Sequence, residues 1–132
     1  MAEVAITNLI EKMNLTNLTP DVNLEKRKIT VPDILRPSLQ LTGYLEHFDP
    51  IRVEIIGFVE FSYMEKMSET DKKHIYGEIL KRDVPCIIFC RDLIPDDIFL
   101  ETANKYAIPV LQTARATSDF EAELIRYLSL RL

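Results

Sequence analysis

Pro85-Cys-Ile-Ile-Phe-Cys90 is a continuous apolar run bounded by turn signals. A run this short with no polar face predicts a strand buried on both sides, the pattern of a parallel sheet. Helical patterns flank it. Upstream, Ser68 with Asp71 three residues later resembles a capping box. It opens a helix to about Lys81 that places Ile75, Ile79 and Leu80 on one side. Downstream, Pro95-Asp96-Asp97 suits a helix start with acids at the positive end of the dipole, and Phe99, Ala103 and Tyr106 line one face. Pro109-Val-Leu-Gln-Thr113 reads as the next strand. Ser118 with Glu121 then reads as the capping box of a last helix in which Phe120, Leu124 and Leu128 stack. This alternation implies right-handed crossovers and a small, mainly parallel or mixed sheet flanked by helices. The expectation is an α/β fold, with residues 1–132 forming a single domain.

The first half is less regular. Ile6, Leu9, Ile10 and Met13 repeat at helical spacing behind Thr7, a candidate cap. Leu15 to Leu24 reads as a loop. Ile29 and Val31 alternate with polar neighbours, as in a short strand ended by Pro32. Asp33 to Pro50 reads as an ordered surface loop with one short helix. Arg52 to Phe61 begins as a strand through Val53, Ile55 and Ile56, with Gly57 marking a bend or a close backbone approach.

Composition narrows the function classes. The net charge of −5 argues against a phosphate-backbone binder. Lys26, Arg27 and Lys28 form the one tight basic cluster and read as a solvated strand edge. No apolar stretch approaches a membrane span, and Met1 to Asn14 lacks the layout of a signal peptide. Cys86 and Cys90 would share one strand face about 13 Å apart, too far for a disulfide, and read as buried thiols. A soluble cytoplasmic domain is expected. The final helix runs to Leu130-Arg-Leu132 without a cap, which suggests a boundary inside a longer protein.

The search for chemistry finds little. A phosphate loop needs closely spaced glycines and a lysine, but Gly43, Gly57 and Gly77 stand far apart. There is no nucleophile elbow. His47 and His74 read as surface residues, and the carboxylates as helix-start and solvated groups. No catalytic, cofactor-binding or metal-ligating residue can be assembled. One loop exceeds the background: Arg36, Pro37, Thr42, Gly43 and Tyr44 bring a guanidinium, a hydroxyl, a flexible glycine and an aromatic together. The plainer reading has Arg36 paired to a carboxylate, Gly43 in a turn and Tyr44 on the core. Arg91, beyond the strand ending at Cys90, stands where ligands of open α/β sheets collect. These six residues are the candidate ligand or interface loop, and a small-anion or metabolite-sensing module is the alternative function.

Asp33-Ile-Leu-Arg-Pro-Ser-Leu-Gln-Leu-Thr-Gly-Tyr-Leu45 resembles the D-I-x-R-P-G-L-x-L-T-G-Y-F segment of HPr kinase/phosphorylases. Arg52 to Glu60 is similar to their R-I-Q-L-I-G-x-x-E stretch, and Leu9-Ile-Glu-Lys12 also fits. Pro85-Cys-Ile-Ile88 and Ile108-Pro-Val-Leu111 match the family's P-C-I-I and I-P-V-L strands in order. Ser38 stands where the family usually has glycine. The resemblance implies a parent that phosphorylates and dephosphorylates a serine of the phosphocarrier HPr, in carbon catabolite control. ATP or pyrophosphate and Mg2+ would serve a carboxy-terminal P-loop catalytic domain outside this chain. It further implies a homo-hexamer, with this chain as the non-catalytic regulatory or assembly domain. Its partners would be the catalytic domain and neighbouring subunits, with no nucleic acid and no membrane. The implied fold is similar to the substrate-binding domain of peptidoglycan (Mur) ligases.

Overall fold

The computed structural model describes residues 2–132. Five strands form the main sheet in the order β2-β7-β6-β5-β4. They are β2 (Thr16–Asn17), β4 (Ile34–Leu35), β5 (Val53–Ile56), β6 (Ile87–Phe89) and β7 (Val110–Gln112). β4 through β7 are mutually parallel. β2 pairs antiparallel with β7, so the sheet is mixed. A separate antiparallel pair joins β1 (Val4–Ala5) to β3 (Lys28–Ile29).

Strand periodicity divides the core into two halves. Ile55, Cys86, Ile88, Cys90 and Leu111 point one way, into a cluster with α1 (Ile6–Met13) and α5 (Thr117–Arg131). Ile56, Ile87, Phe89 and Val110 point the other way, toward α2 (Phe58–Lys66), α3 (Glu69–Leu80) and α4 (Asp97–Tyr106). The crossovers from β5 to β6 and from β6 to β7 cover the same face because the chain steps through the sheet in one direction. β6 is buried throughout, as its apolar run requires.

Two helix caps form as expected. Ser68 accepts from the Asp71 amide at 3.1 Å, and Asp96 from the Phe99 amide at 2.8 Å. Two do not. Ala5 is the cap of α1, which places Thr7 inside the first turn, and Ala116 is the cap of α5 without a side-chain bond. Ser118 therefore lies in the first turn of α5 and is exposed.

Both expected loops carry strands. Thr16–Asn17 is stitched to β7 by the Leu18 amide, which donates to the Val110 carbonyl at 2.8 Å. The buried Thr19 hydroxyl accepts from the Val110 amide at 3.0 Å. Ile34–Leu35 adds the parallel edge strand β4. Conversely, β3 ends at Ile29 and Val31 lies outside it. α2 is a whole helix beyond the expected strand end. Two-residue strands are too short to show a period, and α2 hides because apolar residues occupy both its faces.

Candidate functional site: the carboxyl edge of the sheet

Four loops leave the carboxyl ends of the parallel strands, and they bring Arg36, Gly57, Arg91 and Thr113 to one edge. Arg36, one residue past β4, reaches across β5. Its Nε and Nη2 donate to Glu60 Oε1 at 3.0 and 2.9 Å, and Nη2 also donates to Oε2 at 2.9 Å. Nη1 lies 3.2 Å from Glu121 Oε1 on α5, an ion pair without hydrogen-bond alignment. Glu60 Oε1 also accepts from the Gly57 amide at 2.7 Å and so closes the first turn of α2. One guanidinium thus ties β4, α2 and α5 together. Burial works against its charge, but the two carboxylates overcome this and raise its pKa above the ordinary arginine value.

Gly57 is there for space. A Cβ at this position would come 2.6 Å from Arg36 Nη2 and 2.9 Å from Thr117 Oγ1. The close backbone approach expected from the sequence is therefore real, and side chains of this chain fill it. Thr117 Oγ1 is buried without a hydrogen-bond partner. Nearby, burial pushes the Cys90 thiol up to about 11, against the pull of Thr117, Arg36 and Arg91. Burial and the Glu54 carboxylate push Cys86 up to about 12. Both thiols are protonated at neutral pH and unreactive, and neither forms a disulfide.

The remaining loop candidates serve the backbone. Pro37 is buried. The Thr42 hydroxyl donates to the Leu39 carbonyl at 2.6 Å, inside the 3₁₀ turn Leu39–Thr42. Gly43 ends that turn at φ +98°, a region glycine enters without strain. Ser38 lies at φ −136°, so the family's glycine is not needed there. Tyr44 does not pack on the core; it is exposed and meets His47 edge-on at 6.5 Å. Arg91 and Asp92 adopt left-handed φ values of 58° and 54°. Their amides donate to the Arg115 and Thr113 carbonyls, lacing the β6 loop to the β7 loop, while the Arg91 side chain is exposed. Glu60, Glu121 and Thr117 escaped the sequence reading. Glu60, three residues past Gly57, carried a helix-start signal, whereas Glu121 carried one for the wrong partner.

The arrangement is a clamp. The Arg36 charge is engaged internally while the Arg91 side chain stays exposed, and the glycine that could have admitted a ligand backbone is covered. Gly43, Gly57 and Gly77 stand apart and together form no phosphate cradle. Among the described residues no group of three acidic, histidine or cysteine side chains could hold a metal ion.

Residues 4–128 match the family described as HPr Serine kinase N terminus. The chain belongs to this family. Similar relatives are the HPr kinase/phosphorylases of Lachnoclostridium phytofermentans, 42% identical over the whole chain, and Caldicellulosiruptor bescii, 34% identical over 98% of it. That of Streptococcus equinus is 33% identical over 95%. This HPr kinase N-terminal chain spans only 43, 42 and 40% of those relatives. Among solved structures, it is similar to the CBS and DRTGG domains of the regulatory region of Clostridium perfringens pyrophosphatase, complexed with diadenosine tetraphosphate. The TM-score is 0.65 at 16% identity, covering 95% of this chain and 47% of that one. This likeness shows the fold. The match does not bear on the expected likeness to peptidoglycan ligase domains. Among the described residues no helix is long and apolar enough to cross a membrane.

Proposed function

We propose that this chain is a regulatory and assembly domain without turnover, part of a cytoplasmic HPr kinase/phosphorylase. The parent, a homo-hexamer in this reading, phosphorylates and dephosphorylates a serine of HPr with ATP or pyrophosphate and Mg2+ in carbon catabolite control. Those groups belong to a P-loop domain beyond residues 1–132. The likeness to peptidoglycan ligase domains is part of the same proposal and rests on the layered sheet.

One observation carries the reading. The edge where an α/β sheet usually binds ligands is locked by the Arg36–Glu60–Glu121 clamp, while Leu39, Phe58, Val59 and Ile94 around it are exposed. An apolar rim around a closed site suits a protein contact better than a small substrate. More than half of each relative's length lies outside this chain, and that remainder is the proposed occupant. The candidate loop residues Arg36, Pro37, Thr42, Gly43, Tyr44 and Arg91 would then position or border the interface. Replacing Phe58 and Val59 with serine and aspartate in the full-length parent should yield smaller assemblies in analytical ultracentrifugation. Unchanged assembly, or magnesium-dependent binding of ATP to the 132-residue chain by calorimetry, would overturn the proposal.

A further inference from the structure

The opposite edge of the sheet has different chemistry. Pro50 and Ile51 precede β5, and Asp83 and Pro85 precede β6, so these residues mark the amino edge. With Lys26, Arg27, Lys28 and Thr30 they line a cleft of about 480 Å³. That is room for a small organic molecule. A chain of net charge −5 here sets three cations against one carboxylate.

The cations differ in rigidity. Arg27 is fixed: its Nε donates to the Ala107 carbonyl at 2.9 Å and Nη2 to the Tyr106 carbonyl at 3.0 Å, at the end of α4. Its third contact, Nη1 to Asp83 Oδ1 at 3.2 Å, goes to a carboxylate whose side chain is 77% exposed. Such a surface partner is held weakly, and a stronger anion could replace it. Lys26 and Lys28 are exposed and flank the fixed guanidinium. Pro50, Ile51 and Pro85 supply an apolar wall.

We propose that this cleft binds the phosphate monoester of a small organic molecule. The dianion replaces Asp83 at Arg27 and is closed in by the two lysines, and the carbon frame rests on Pro50, Ile51 and Pro85. Lysines act as mobile point charges for phosphate, and a pre-positioned arginine fixes its direction. The site lies at the other end of the strands from the assembly rim and does not depend on it.

The test is a titration of the 15N-labelled chain with glycerol 3-phosphate, with inorganic phosphate and glycerol as comparisons, followed by amide shifts. Saturable shifts are expected at Lys26 to Thr30, Ile51 and Asp83. Lys26→Gln with Lys28→Gln should weaken binding at least fivefold and leave the rest of the spectrum intact. Lys66→Gln with Lys73→Gln, which removes the same charge elsewhere on the surface, should leave binding unchanged. Asp83→Asn should tighten it. The proposal fails if the cleft amides do not shift, or if both double variants weaken binding equally. It also fails if inorganic phosphate binds as tightly as the ester, which would leave the apolar wall without a role.

Discussion

Glu54 lies in the middle of β5 with its side chain among apolar neighbours. It is 1% exposed, and its Oε2 has no hydrogen-bond partner. Burial raises its carboxyl to about 8 from an ordinary 4.5. The folded state therefore holds this proton more tightly than the unfolded chain. Its stabilising effect is complete below pH 4.5 and is lost as pH rises through 8. The unfolding free energy of the chain should decline across that window, with a slope approaching roughly 1.4 kcal/mol per pH unit from this group, and the melting temperature should fall with it. Glu54→Gln should flatten the decline and stabilise the chain at pH 8, as thermal melts at several pH values would show. Gly57 gives a second test at this scale. Gly57→Ala forces a methyl against Arg36 and Thr117 and should cost about 1–3 kcal/mol in urea unfolding. The sequence marked Gly57 as special but could not say what pressed on it, because Arg36 and Thr117 are distant along the chain. Glu54 was invisible for the opposite reason: a single carboxylate between valine and isoleucine looks like the polar phase of a half-exposed strand.

Helices and strands were legible where their periods had room to repeat. α3, α4, β5, β6 and β7 follow from apolar spacing and capping residues within the elements themselves. β2 and β4 depend on neighbouring strands for their pairing, and so their sequences read as loop. The start of α5 shows how a local pattern can be overruled. Ser118 and Glu121 have capping-box spacing, yet the helix begins two residues earlier, behind Ala116, and Glu121 turns to Arg36. Ala116 leaves the first amides of α5 without a side-chain acceptor. Ala116→Ser should therefore stabilise the chain by about 0.5–1 kcal/mol in the same unfolding assay. Arg36→Met tests the clamp that joins three elements. It leaves Glu60 buried without its partner and should cost about 2 kcal/mol. The value sits below that of a fully buried pair because the guanidinium is 36% exposed.

At the scale of the whole molecule, cohesion centres on β6, which has β5 and β7 on its flanks and a core half on each face. Hydrogen exchange should be slowest at Ile87, Ile88 and Phe89, and faster at the two-residue edge strands β2 and β4. Faster exchange in β6 than in β4 would contradict this ranking. The layered α/β plan was readable because it follows from alternation alone. The chemistry of the two edges was not, since each assembles residues from three or more segments. A strand direction shared by β4 to β7 makes those two edges physically unlike. One gathers helix beginnings and the Arg36 clamp, the other helix endings and the exposed Lys26 and Lys28. A small molecule held at one pole and a protein docked at the other would not compete for space. Any communication between them would have to pass lengthwise along three or four residues of buried strand, a short and stiff path.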